Sequence, residues 1–308
     1  MRTYSRLAGS FLIVFGLTGA AYAFDAPAAP SASGADAADG GPAPATNISL
    51  PGVAAAAASS AKSPIEAFEK ARSAYRSGDK TSAVLSLQYA AGRGHAGAQW
   101  MLGRMYAEGD GVAHDDEKAF YYFREVVREA SASNFLDSYD QQTDGPYVSS
   151  ALVWLGSYYL EGIAGTAVKP DPKIALRLFT DAAYNFGDPN AQYNLARMYL
   201  DGNGVKRDPE RAVRWLNLAA QKNHAPSRAL LGHMMFKGEF VHKQAAKGLM
   251  LMALARAAAQ QSDDPSQQWM IDLYDKAVAG ATEEERSQAA MLFDAWTRRH
   301  QQQSAGNN

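Results

Sequence analysis

Gln99-Trp100-Met101-Leu102-Gly103-Arg104-Met105-Tyr106 returns as Gln192-Tyr193-Asn194-Leu195-Ala196-Arg197-Met198-Tyr199, 93 residues further on. The register holds through Gly109/Gly202, Gly111/Gly204, Val112/Val205, Asp115/Asp208 and Ala119/Ala212. Between these copies lies a third, Ala151-Leu152-Val153-Trp154-Leu155-Gly156-Ser157-Tyr158-Tyr159, whose continuation Val168 to Ala183 matches Val205 to Ala220 at an offset of 37. A fourth copy, Leu230-Leu231-Gly232-His233-Met234-Met235, stands 36 residues after the second, and an incomplete leading copy covers Pro64 to His95. Self-similarity at a fixed period of about 20–50 residues marks a stacked repeat array.

Small residues explain one unit. The first helix carries a large apolar residue, then Gly or Ala, then Tyr, as in Leu102-Gly103 and Tyr106. The small residue lets the second helix approach, while Leu and Tyr fill the space between units. Gly109-Asp110-Gly111 and Gly202-Asn203-Gly204 supply a turn that needs positive φ. The second helix buries Ala119, Phe123 and Val126, matched by Ala212, Leu216 and Ala219. No single hairpin has a core of its own, so stacking makes the core.

Helix starts recur along the chain. Ser63-Pro64-Ile65-Glu66 has the N-cap, first-position proline and third-position acid of a capping box. Asp171-Pro172, Asp188-Pro189, Asp208-Pro209 and Asp264-Pro265 repeat the grammar, and Thr282 to Glu285 is a further box. Strand-like alternation is scarce. The expected fold is all-α: a solenoid of helix-turn-helix repeats over residues 64–300, about five in number. Residues Ser266 to His300 supply capping helices, and a polar tail from Gln301 to Asn308 is expected to fray. An insertion from about Ala132 to Pro146 interrupts the array and is expected to be irregular, either a binding element or a spacer.

The first 23 residues have the form of a secretory signal peptide: Arg2 and Arg6, an apolar run from Leu7 to Gly19, and the small-x-small pattern Ala21-Tyr22-Ala23. The alternative is an uncleaved anchor, although the run is shorter than the roughly 20 residues that cross a bilayer. Residues 24–63 are rich in Ala, Pro, Gly and Ser and poor in core-forming side chains, which predicts a linker. The 308-residue chain has a formal net charge of -2. Loss of the leader would remove two arginines and no acid, so no basic stripe suits nucleic acid. Cysteine is absent, which excludes thiol nucleophiles, Cys-based zinc sites and Fe–S clusters.

The motifs A-x-x-x-L-G-x-x-Y and G-x-G-V-x-x-D, kept in register over about residues 64–265, resemble the Sel1-like repeat, a relative of the tetratricopeptide repeat. The layout as a whole resembles the ExoR family of exported regulators of exopolysaccharide synthesis in alphaproteobacteria. The match comprises Ala23-Phe24-Asp25, a leading half-repeat ending Ala90-Ala91-Gly92-Arg93-Gly94-His95, and the stretch from Ala98 to Val112. The resemblance implies a periplasmic inhibitor that binds the periplasmic domain of a membrane sensor histidine kinase and is destroyed by a periplasmic protease. The long Ala/Pro-rich linker departs from that pattern.

Catalytic chemistry finds little support. His95, His114, His224, His233, His242 and His300 are scattered, with no i, i+4 pair around a Glu. His95 and His224 share one repeat position, the turn before a new helix, which favours capping over pH sensing. Asp201-Gly202-Asn203-Gly204 lacks the later ligands of a calcium loop. Asp115-Asp116 fits a helix N-terminus. No catalytic residue, metal or cofactor is expected, and an envelope scaffold or an enzyme acting on peptidoglycan or glycans stands as the alternative. If Leu102, Gly103 and Tyr106 face neighbouring helices, Trp100 and Arg104 are left for a concave groove. The expected binding columns are therefore Trp100, Val153, Tyr193, Ala229 and Arg104, Ser157, Arg197, His233, with Trp100, Arg104, Tyr193, Arg197 and His233 as contact residues for a protein partner.

Overall fold

The computed structural model describes residue 61, residues 63–132, 141–262 and 264–305. The expected leader and nearly all of the linker lie outside these residues, as does 133–140 of the insertion. Ten helices form five hairpins: α1 (Pro64–Arg76) with α2 (Lys80–Ala91), α3 (Ala96–Glu108) with α4 (Asp116–Ala132), α5 (Gln141–Glu161) with α6 (Pro172–Asn185), α7 (Pro189–Asp201) with α8 (Pro209–Gln221), and α9 (Ala225–Lys237) with α10 (Ala245–Gln260). A 3-10 turn at Pro265–Gln267 leads to α11 (Gln268–Ala279) and α12 (Glu283–Ala305), both of which lie against α10. No strand occurs among the described residues. The fold is the all-α repeat array that the internal register requires.

Helix starts are capped where the sequence places them. Asp171 accepts from the backbone amides of Lys173 and Ile174 at 3.0 and 3.1 Å, and Asp188 from those of Asn190 and Ala191 at 2.8 and 3.0 Å. Thr282 and Glu285 exchange reciprocal bonds at 3.0 and 3.1 Å, so the acid and the hydroxyl each satisfy an orphan amide. His95 and His224 do the same work with imidazole: Nδ1 of each accepts an amide at 3.3 Å, from Ala98 and Ser227.

From α1 to α11 each helix packs on the next along the chain, α12 packs on α10, and α3 also touches α5. One apolar cluster runs without a break from the start of α1 to Met235, with two smaller clusters among α9 to α12. Ala61, the end of the expected linker, is already in the larger cluster, and its carbonyl accepts from the Tyr89 hydroxyl at 3.3 Å. Phe123 and Phe179 are fully buried, and each such ring contributes roughly 2 kcal/mol of apolar burial. A Cβ on Gly103 would lie 2.7 Å from Phe123, and one on Gly156 2.6 Å from Phe179. In these two units the small residue is there to admit that ring.

Polar ties join one unit to the next. Asp110, in the α3–α4 turn, accepts from the Tyr75 hydroxyl of α1 at 2.5 Å and pairs with Lys80 at the start of α2. Gln99 donates to the carbonyl of Ala91 at the end of α2 at 3.3 Å, and Arg228, three repeats later, to that of Ala220 at the end of α8 at 3.2 Å. These side chains satisfy carbonyls that a helix end leaves free.

Two boundaries differ from expectation. Residues 141–146, expected to be irregular, are the first turns of α5, with Pro146 inside the helix. Proline here removes only one intrahelical bond near the helix start, which the packing of Tyr147 on Phe68 and Trp100 offsets. Residues 301–305 continue α12 rather than fraying. Polarity alone does not end a helix when no glycine or proline interrupts it.

Candidate protein-binding face

The first helix of each unit (α3, α5, α7, α9) has a covered side and an open side, and the structure fixes which residues fall on which. Trp100, Val153, Tyr193 and Ala229 are 7, 8, 9 and 0 % exposed. The expectation that Trp100 and Tyr193 line an open column is therefore corrected: both are packed by the start of the following unit. Tyr147 of α5 lies 5.5 Å from the Trp100 ring, and His224, the cap of α9, lies 5.4 Å from Tyr193. The open position is one residue further along: Met101, Trp154, Asn194 and Leu230 are half-buried. Positions 100 and 101 flank Arg104 at roughly 40° and 60° around a 3.6-residue helix, so the pattern alone does not say which flank is covered.

The second column stays at the surface. Arg104 and His233 are half-buried and Arg197 is exposed. Ser157, between them in the series, is also half-buried and turns its hydroxyl back onto the Val153 carbonyl at 3.2 Å.

The three cationic or titratable members differ in their partners. Arg104 is held: Nε and Nη2 donate to the two carboxylate oxygens of Glu108 at 3.1 and 3.0 Å, and the guanidinium sits 5.2 Å from the Trp100 ring. Arg197, with Asp201 at the same spacing, makes no hydrogen bond or ion pair with any described residue. His233 keeps Nδ1 buried and without a hydrogen-bond partner among the described residues, and burial pushes its pKa below the ordinary histidine value. A neutral imidazole and one uncommitted guanidinium thus stand on the first helices of consecutive units, α9 and α7. The arrangement can offer donors to a carboxylate or a backbone carbonyl. It presents no nucleophile–base pair.

A cleft of about 330 Å³ lies among α10, α11 and α12 and is lined mainly by Ala, Leu, Val and Phe side chains, with Arg256 and Arg286 among them. Their charges are already placed. Arg256 faces Asp275 at 3.5 Å and the Tyr274 ring at 5.3 Å, and Arg286 donates to the Ala281 carbonyl at 2.8 Å. Among the described residues no group of three His, Asp or Glu side chains is gathered as for a metal ion. No helix among them is long and apolar enough to cross a membrane.

Comparison with known proteins agrees with the array. The Sel1 repeat matches residues 96–125, 149–185, 189–224 and 225–260. An exopolysaccharide production negative regulator of Rhizobium leguminosarum bv. viciae is 35% identical over 229 residues, covering 74% of this chain and 80% of that protein. A protein of the same description from Rhizobium meliloti (strain 1021) is 36% identical over the same coverage. Among solved structures, a Sel1 repeat protein from Oxalobacter formigenes aligns with a TM-score of 0.51 and 25% identity, over 70% of this chain and 88% of that one.

Proposed function

Because the chain belongs to the Sel1-repeat family that includes the rhizobial exopolysaccharide production negative regulators, we propose that it represses exopolysaccharide production by gripping the periplasmic domain of a membrane sensor histidine kinase. In this reading the leader sends the chain across the inner membrane and is removed there. The relatives are regulators and not enzymes, and the chain acts by binding.

The observation that carries the reading is the match over 80% of the regulators' length. The geometry supplies the means. Stacked helices hold Asn194 and Arg197 on α7 and Leu230 and His233 on α9 as one rigid face, so little order is lost when a polypeptide settles there. Control of a kinase follows only if the face binds the inactive kinase more tightly than the active one. A protease that removes the regulator would then release the kinase.

A photoreactive residue at position 194, used in living cells, tests the proposal. Capture of a sensor-kinase periplasmic domain, lost when Arg197 is replaced by Glu beside the probe at 194, supports it. Capture of structural envelope proteins alone, with exopolysaccharide unchanged on deletion of the gene, sinks it.

A further inference from the structure

The turn between the two helices of a unit carries a second glycine with a definite task. Gly111 and Gly204 have φ of 76° and 72°, and a Cβ there would stand 2.7 Å from Lys80 Cβ or 2.6 Å from the Pro172 carbonyl oxygen. The turn is pressed onto the start of the preceding unit's second helix. In the fifth unit, between α9 and α10, the same place is taken by Phe240. It keeps the left-handed backbone, φ 62°, and its ring is 49% exposed. A bulky residue in this region is strained, and strain of that kind collects at functional positions.

The ring stands in a basic setting. Arg207, from the preceding unit's turn, places its guanidinium 5.3 Å from the Phe240 centroid and is anchored by Nε donating to the Leu200 carbonyl at 2.9 Å. Lys206, Lys237, His242 and Lys243 are exposed and lie next to Arg207 or within three residues of Phe240, against two acids, Asp208 and Glu239. Lys243 also reaches Glu285 at 3.5 Å. In a chain of net charge -2 this is a local reversal of sign.

We propose that Phe240, Arg207 and the flanking lysines form a second docking surface, for an acidic stretch of a partner protein that lays an apolar side chain on the Phe240 ring. An exposed aromatic beside arginine is the residue pair that concentrates binding energy at protein interfaces. The surrounding cations speed encounter with an acidic segment and select for it. A single ring offers too little apolar area for lasting attachment to a bilayer, which draws on a whole apolar helix face or a lipid chain. The surface adjoins the face on α7 and α9: Lys237 stands one turn beyond His233 on α9, and Lys237 and Glu239 both act on its charge.

The test is a titration of the full chain with a fluorescein-labelled 16-residue peptide of glutamates around a central Leu-Trp pair. Binding is expected, with Kd raised at least tenfold by Phe240→Gly and by Arg207→Glu, and unchanged by Arg76→Glu on the exposed side of α1. Phe240→Gly restores the residue found at Gly111 and Gly204, so its thermal midpoint should hold or rise. No binding by the wild type, equal binding by Phe240→Gly, or equal binding of the lysine-for-glutamate peptide would overturn the proposal. So would unfolding of Phe240→Gly, which would make the ring structural. Sedimentation of the wild type, but not of Phe240→Gly, with phosphatidylglycerol vesicles and not phosphatidylcholine vesicles would replace the protein partner by a membrane.

Discussion

Gly248 on α10 approaches Gly232 on α9 so closely that a Cβ on Gly248 would stand 2.5 Å from the Gly232 carbonyl oxygen and 2.6 Å from the Phe236 amide nitrogen. Backbone meets backbone, and neither atom can swing aside. Gly248→Ala is therefore expected to destabilise by about 1–3 kcal/mol, despite alanine's better helix propensity. Gly280→Ala, where a Cβ meets nothing nearer than 3.7 Å, is the control and should change stability little. Chemical denaturation of both variants decides the matter, and equal midpoints would show that the two helices can separate without cost.

His224 predicts loss of stability in acid. Its Nδ1 accepts from the Ser227 amide at 3.3 Å and lies 2.9 Å from the Ser227 hydroxyl, Nε2 faces the Asn190 carbonyl oxygen at 3.1 Å, and the Tyr193 ring covers it. Burial lowers its pKa from 6.5 to about 4. The unfolded chain thus binds a proton that the folded chain refuses between those values. Stability is full above pH 6.5 and falls as pH drops toward 4, by roughly 3 kcal/mol for this group. His224→Asn keeps an N-cap without the titration. Its unfolding free energy, subtracted from that of the wild type at each pH, should isolate the slope; parallel curves would refute the assignment.

Tyr75 reports on the tie between the first two units. Its hydrogen bond to Asp110, with burial and the nearby carboxylate charge, raises the phenol to about 12. Burial pushes the Asp110 carboxyl up, but the bonds from Lys80 and Tyr75 outweigh it and hold the pKa below the usual aspartate value. In Asp110→Asn the phenol should titrate closer to its ordinary 10, read by ultraviolet absorbance against Tyr75→Phe as reference. A phenol that still titrates near 12 in Asp110→Asn would place the cause elsewhere.

Arg228 is buried without a carboxylate partner, its guanidinium 5.1 Å from the Trp296 ring of α12, and burial lowers its pKa to about 10. Glutamine holds the same repeat position at Gln99 and Gln192. Arg228→Gln can keep the bond to the Ala220 carbonyl and removes a desolvated charge, so global stability should change by less than about 1 kcal/mol. The cation–π contact goes, so amide exchange should quicken from residue 296 onward and not in α9. Uniform quickening would mean that the arginine supports the whole end of the array.

The repeat register could be read because each unit spends glycine and alanine at fixed places, and only close helix packing explains small residues so spaced. The caps were legible for the same reason, down to imidazole in place of aspartate at His95 and His224. The open face was half legible. Arg104, Arg197 and His233 reach the surface, but Trp100 and Tyr193 do not, since their cover comes from Tyr147 and His224 in the next unit. Which flank of a helix a neighbour hides depends on how far successive units rotate, and no local pattern encodes that angle. Phe240 was missed although the alignment sets it opposite Gly204; a phenylalanine in a glycine's place was the available clue.

The ties between units have a consequence for how such a chain grows. Gln99 and Arg228 each bond the helix end of the unit before them, at carbonyls of Ala91 and Ala220 that also accept the turn amides of Gly94 and Asn223. An inserted copy brings its own plug and its own socket. Duplication of a gene segment one period long would therefore add length with plug and socket in step, whereas a segment of any other length would part them.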